Sequence, residues 1–154
     1  MNLLFRLIYV VVASFFKERL PAGKAENNLT LYAFPNDLDV NFHMNNGRYL
    51  TICDLTRVDF FIRTGLLKVM LKKKWRPIIA EHTMTYKKSI NLFDKFQVSM
   101  ALTHWDEKYF YMTHTFRNNE RILAEGTSKG VVLSRQGVIT PGDVIASVKL
   151  ATGA

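Results

Sequence analysis

From Asn46 to Thr64 the chain carries a helix with almost no polar side. Tyr49, Leu50, Ile52, Cys53, Leu55, Val58, Phe60, Phe61 and Ile62 fall on nearly every face of it, and a helix that is apolar most of the way round must be wrapped by other structure. Asn45 or Asn46 supplies the cap at its start and Gly65 the stop at its end. The material to wrap it follows. After Arg76 the texture becomes β-rich, with strands expected at about Ile78–Ser89, Phe93–Thr103, Tyr109–Arg117 and Arg121–Ser134. Asn91 to Asp94, Asp106–Glu107 and Asn118–Asn119 mark the connections, and the last is a two-residue hairpin signal. One strand, Asn28–Phe34, precedes the helix. Leu66–Lys74 reads as a short second helical turn, and the tail from Thr140 as a capped short helix with Pro141 near its start. One long helix, with one strand before it and four antiparallel strands after it, is an α+β arrangement. Helices do not alternate with strands, so a doubly wound sheet is excluded.

Residues 1–20 form a separate apolar helix, joined by a linker (LPAGKAENN) to a main domain over 28–154. Leu3 to Phe16 is apolar except for Arg6 and Ser14, and Lys17, Glu18 and Arg19 end it. Fourteen helical residues reach about 21 Å, short of the roughly 30 Å hydrocarbon core. No basic residue precedes the apolar run and no small-x-small site follows it, so a cleaved signal peptide fits poorly. Asn2, Arg6, Tyr9 and Lys17 fall near one narrow stripe. Two readings stay open: a helix lying on a membrane surface, or a helix packed on its own domain or on a partner subunit.

The chemistry is concentrated between Asp37 and Asn46, DLDVNFHMNN. Asp37, Asp39, Asn41 and His43 stand within seven positions, just ahead of the long helix. Such groups are costly to bury, and they make sense where a helix N-terminus, with unpaired N–H groups and partial positive charge, holds something reactive. The segment resembles the signature of the hotdog-fold thioesterases, D-x-D-x-x-G-H-V-N-N, which opens their central helix. It is most similar to the form in plant acyl-carrier-protein thioesterases, D-L-D-x-N-x-H-x-N-N-x-x-Y, matched here by Asp37, Leu38, Asp39, Asn41, His43, Asn45, Asn46 and Tyr49. From about Asn28 to Pro141 the order of elements also fits one hotdog domain.

The resemblance implies a curved antiparallel sheet of about five strands around the central helix, and hydrolysis of fatty acyl-CoA or acyl carrier protein. It implies Asp39 as general base (or as a nucleophile forming an anhydride), with Asn41 and His43 orienting water or substrate. Backbone N–H groups around Met44, Asn45 and Asn46 would hold the oxyanion, and Tyr49 would line the acyl site, with Met70, Phe93 and Phe110 as further tunnel candidates. Hotdog sites generally form between subunits, which implies a homodimer or a tetramer. No metal and no organic cofactor is expected. Two positions depart from the pattern: Phe42 stands where many members have glycine, and Ser89 aligns with a later-strand carboxylate or cysteine of the plant enzymes.

The remaining polar residues have plainer readings. Asp37 reads as structural, Asp54 and Arg57 as an i,i+3 ion pair, and Lys72–Lys74 as a solvated helix end. His82, His104 and His114 read as ordinary β positions with no metal-ligand spacing. A formal charge of +8 and a pI near 9.7 attract anions of many kinds; no nucleic-acid motif accompanies them, so nucleic acid is not an expected partner. Lys87, Lys88, Lys129 and Arg135 are candidates for phosphate contacts of coenzyme A or a carrier protein. The lone Cys53 cannot make an intrachain disulfide, which fits a cytoplasmic protein, peripheral on a membrane if the N-terminal helix lies there. Two rival functions remain. A hotdog enoyl-CoA hydratase would carry D-x-N-P-x-H, whereas here the histidine is four residues after Asp39 and the proline is missing. A non-catalytic acyl-binding, membrane-associated protein would fit Ser89 and the N-terminal helix.

Overall fold

A computed structural model of the chain describes residues 2–153. In chain order it contains α1 (Asn2–Phe16), β1 (Glu26–Tyr32), a 3-10 turn (Pro35–Asp37), α2 (Asn46–Thr64), α3 (Leu66–Lys73), β2 (Arg76–Tyr86), β3 (Lys95–Trp105), β4 (Phe110–Asn118), β5 (Arg121–Ser134), β6 (Gly137–Ile139) and α4 (Pro141–Thr152). The strands pair antiparallel in the order β1-β3-β4-β5-β2, and the short β6 pairs with the end of β5.

The sheet curls around α2, which is the hotdog arrangement. Along β3 the residues Phe96, Val98, Met100 and Leu102 are buried in strict alternation, as a strand with one core face requires. Phe96 and Val98 pack with Leu29 and Leu31 of β1, Phe116 of β4, Leu123 and Ala124 of β5, and Ile52, Cys53 and Leu55 of α2. A second cluster joins Leu66, Val69 and Met70 of α3 to Val132 and to Val144 and Val148 of α4. Enclosure of α2 extends to its polar residues, since Thr56, Arg57, Asp59 and Thr64 are buried as well.

Helix boundaries follow the caps: Asn45 Oδ1 accepts from Gly47 N–H at 2.8 Å, and Gly65 ends α2 at φ 81°. Strand ends differ more from expectation. β2 stops at Tyr86 because the N–H groups of Lys87 and Lys88 both turn onto the Leu123 carbonyl, at 2.8 and 3.0 Å. Phe93 lies in a turn at φ 62°, ahead of β3, with its N–H on the Ala33 carbonyl. The β4–β5 hairpin turns at Asn119 and Glu120, one residue later than the expected pair, with Asn119 left-handed at φ 53°. β6 was not expected, being only three residues long.

α1 packs on α2, with its polar residues turned inward. Arg6, Val10 and Ser14 are buried, while Leu4, Phe5, Ile8, Tyr9, Val12, Phe15 and Phe16 are exposed. Arg6 reaches Asp37. Ser14 Oγ donates to Asp59 Oδ1 at 2.7 Å, where Asn27, Lys17 and Arg63 also converge. Burial alone would raise the Asp59 pKa; hydrogen bonds from Asn27 and Ser14 and the charge of Lys17 outweigh it and hold the group below its ordinary value.

Candidate active site

The two aspartates of the motif occupy opposite environments. Asp37 has no exposed surface. Arg6 donates to both of its oxygens, at 2.9 and 2.7 Å, Arg48 Nε approaches at 3.1 Å, and Phe34 N–H donates at 2.8 Å. It anchors the loop, as expected. Asp39 stands half-exposed, with Oδ1 accepting from Asn41 N–H at 2.8 Å in a short Asx turn. Among the described residues none donates to the second oxygen. Asn41 and His43 point outward beside it, both exposed. Backbone pairing fixes the loop: Asp39 N–H donates to the His43 carbonyl at 2.9 Å, and His43 bridges to Asn91.

Phe42 lies at φ 60°, so it occupies the left-handed conformation that glycine adopts without steric cost. This gives the glycine of the family pattern a backbone reason and leaves the Phe42 ring exposed.

The helix start offers fewer donors than the sequence suggests. Met44 N–H is taken by the Ile90 carbonyl at 2.8 Å, Asn45 N–H by the Asp37 carbonyl at 2.8 Å, and Gly47 N–H by the Asn45 side chain. Among the described residues none accepts from Asn46 N–H, which therefore remains the amide able to meet an oxyanion at this helix end. The side chains of Met44 and Tyr49 are core, not pocket surface. Tyr49 sits edge-on to Tyr86 and Phe116, and burial, then the neighbouring Tyr86, pushes its hydroxyl up to about 12. Tyr86 is the exposed member of the pair, and its hydroxyl donates to the Asn46 carbonyl at 3.3 Å. Sequence reading missed Tyr86, Arg6 and Arg48.

Ser89 is exposed on the wall of an open cleft of about 600 Å³ that also includes Lys88, Asn91, Asp94 and Arg121. The cleft adjoins the Asp37–Asn46 loop through the His43–Asn91 bridge and the Met44–Ile90 hydrogen bond. Of the other basic candidates, Lys87 is paired with Glu125 and Lys129 lies over the Tyr109 ring at 4.2 Å; Arg135 is exposed beyond β5. Of the tunnel candidates, Met70 is core and Phe93 faces outward, while Phe110 lines a small apolar cavity of about 50 Å³ with Phe60, Phe61, Ile79 and Val131.

Between the helix and β2 lies a buried polar cluster that the separate reading of the histidines did not anticipate. His82 and His114 stack at 5.3 Å and 12°. Arg57, ion-paired with Asp54 as expected, donates to His82 Nδ1 at 3.2 Å and His114 Nε2 at 3.4 Å; Ser128 Oγ lies 2.7 Å from the same His114 nitrogen. Both rings are thereby held neutral. Burial first, and then the Arg57 charge, lowers the His82 pKa and brings that of His114 down to about 3. Cys53 joins them, each of the three residues offering one ligand-type atom within 4.8 Å of the others. The set is poorly suited to a cation. The Arg57 guanidinium lies within hydrogen-bond reach of both rings and opposes a second cation, and burial pushes the Cys53 thiol up to about 12.

Comparison with known proteins places the chain in a family. A family model described as "Thioesterase-like superfamily" matches residues 34–146. "Protein THEM6" of Xenopus laevis is 34% identical over 125 residues, which cover 80% of this chain and 58% of that protein. "Probable thioesterase YBR096W" of Saccharomyces cerevisiae is 26% identical over 159 residues, covering 91% of this chain and 69% of the relative. This chain thus spans little more than half the length of the vertebrate relatives it matches. Among solved structures, the probable thioesterase YbaW of Escherichia coli superposes with a TM-score of 0.72 at 16% identity, covering 79% of this chain and 96% of that one. SAV2348 of Staphylococcus aureus, solved in complex with CoA, superposes with a TM-score of 0.70 at 15% identity, covering 84% of each chain. At these identities the structural likeness is one of fold, and the family rests on the sequence match. The chain belongs to the thioesterase-like superfamily.

Proposed function

We propose that the protein hydrolyses fatty acyl thioesters, with acyl-CoA as substrate and an acyl carrier protein as the alternative carrier. The observation that carries this reading is the loop from Asp37 to Asn46. One carboxylate is locked into the fold, and the other stands half open at a helix N-terminus beside an exposed asparagine and histidine. Asp39 takes a proton from water as that water attacks the thioester carbonyl. The developing oxyanion meets Asn46 N–H and the positive end of α2, and Asn41 and His43 orient the water and the acyl group. Collapse of the tetrahedral intermediate breaks the C–S bond, and the thiolate takes the proton from Asp39 and leaves as the thiol. A positioned base contributes about 10²–10⁴-fold, and one oxyanion donor about 10²–10³-fold.

The cleft beside Ser89, with Lys88 and Arg121, suits the phosphates of the carrier. CoA is bound by one structural neighbour of the same fold, which supports that choice. The working unit in this reading is a homodimer, or a dimer of dimers. β2 is an edge strand of eleven residues, exposed on both faces except at His82 and Met84, and a long open edge of this kind is a template for a second copy. Its end, at Tyr86, lies against the start of α2, so pairing through β2 brings the partner near the site. The enzyme works at a membrane surface, with α1 as its contact.

Release of thiol from acyl-CoA by the wild type, lost in Asp39→Asn, supports the reading. Hydration of crotonyl-CoA without thiol release would replace it with the hydratase, and binding of acyl-CoA without turnover would replace it with a carrier.

A further inference from the structure

The outward face of α1 and the rim of the Asp37–Asn46 loop are both apolar and both exposed. At 100° per residue, Leu4, Phe5, Ile8, Tyr9, Val12, Phe15 and Phe16 fall within an arc of about 140°. All are exposed, Phe5 by 67% and Phe15 by 70%. The polar residues Arg6 and Ser14 point into the protein instead. A helix on the surface of a soluble domain has the reverse orientation.

A chain of contacts links α1 to that rim. Arg6 lies under the half-exposed Phe34 ring at 5.2 Å, and the Ala33 carbonyl next to Phe34 holds Phe93 N–H. The His43–Asn91 bridge then joins the 91–94 turn to the catalytic loop. Val40, Phe42, Leu92 and Phe93 protrude here, Val40 by 91% and Phe42 by 76%. Phe42 and Phe93 both lie at positive φ, 60° and 62°, so each holds a bulky side chain in a strained backbone conformation while presenting it to solvent. Exposed rings of this kind gain burial where they meet an apolar phase. Exposed cations flank the rim: Lys88 and Lys95 bracket the 91–94 turn, and the chain carries +8 overall.

We infer that this surface docks on an anionic lipid bilayer with the catalytic loop in the docking plane, so that the substrate is a long-chain acyl thioester drawn from the bilayer. The inference rests on the thioesterase reading for its substrate, but not for its geometry. Phenylalanine rings and the α1 face enter the headgroup–acyl boundary, and Lys95 meets lipid phosphates while Lys88 stays with the carrier cleft. A second copy of the chain would not use the lysine rim.

The test uses the full chain with phosphatidylcholine vesicles, with and without phosphatidylglycerol. The wild type is expected to float with the anionic vesicles. Phe5→Glu/Phe15→Glu, which alters two largely exposed residues, is expected to weaken that binding at least about tenfold, since each ring loses its burial. Leu92→Trp is expected to be quenched by nitroxide-labelled lipid beyond the background of Trp75 and Trp105. In the double variant, turnover of vesicle-borne long-chain acyl-CoA falls in parallel with flotation, while thiol release from a soluble short-chain acyl-CoA stays within about twofold of wild type. No flotation of the wild type, or equal flotation of the double variant, overturns the inference; so does docking that leaves Leu92→Trp unquenched. A wild type that does not float but loses an oligomer in the double variant assigns the face to a second copy and also overturns it. Flotation and quenching without thiol release from any substrate would leave the docking standing and remove the catalytic reading.

Discussion

Asp37 and Asp39 carry the same side chain two positions apart, and their surroundings separate their roles. Asp37 is a buried anchor held by Arg6 and Arg48, and Asp39 keeps an oxygen open. Removing one partner of a buried ion pair costs about 3–5 kcal/mol. Because Arg48 stays in place, Arg6→Met is expected near the lower end of that range in urea denaturation. Arg48→Met should cost less, since Arg6 makes two bonds to Asp37 and Arg48 is partly exposed. The histidine cluster gives a pH signature. His114 is held neutral in the fold, down to about pH 3, while an unfolded histidine titrates near 6.5. The unfolded chain therefore binds more protons between those values. The stability contributed is fully present above about pH 6.5 and is lost as pH falls below it; His82 shifts in the same direction. Thermal melts from pH 7 to 5, above most carboxylate titrations, should show a falling midpoint, and His114→Gln should flatten that slope. A slope unchanged by His114→Gln would place the acid sensitivity elsewhere.

The elements that bear the site depend on caps and on one close approach. Asn45→Ala removes the α2 cap and is expected to cost about 1 kcal/mol. At Gly126 a Cβ would lie 2.2 Å from the Thr83 carbonyl of β2. Gly126→Ala therefore forces β2 away from β5, at about 1–3 kcal/mol, measurable by denaturation and by faster amide exchange along β2. These elements differ in how well the sequence announces them. α2 was legible because Asn45 and Gly65 are local signals, and the start of β5 because the Asn118–Asn119 turn signal precedes it. The route of α1 was not: its polar stripe satisfies both a helix on a membrane and one packed on protein, and the deciding contact, Arg6 with Asp37, spans 31 positions. The histidine cluster was hidden for the same reason. His82 and His114 stand on strands either side of β5 and meet because the β5 residues opposite them are the small Ser128 and Gly126; G-x-S in that strand was the available signal. At the site, the motif identified Asp39, Asn41 and His43, but which amides remain open is a matter of backbone pairing that residue types do not encode.

For the whole molecule, the sheet has two edges, β1 and β2, and α1 packs on α2 with Val10 in the core cluster that also holds Leu29, Phe96 and Phe116 of the sheet. The homodimer proposed from the long exposed β2 edge predicts that sedimentation at micromolar concentration gives at least twice the 17.8 kDa chain mass; a lone monomer would contradict the proposed working unit. The central claim is that a thioesterase-like fold places Asp39 as the base at an open helix end. Its most direct test is thiol release from a panel of short- to long-chain acyl-CoAs, comparing wild type with Asp39→Asn at equal thermal stability. Turnover by the wild type that falls about a hundredfold or more in the variant is the expected result, whereas turnover that survives the substitution, or its absence with every acyl-CoA and acyl carrier protein tried, would contradict it.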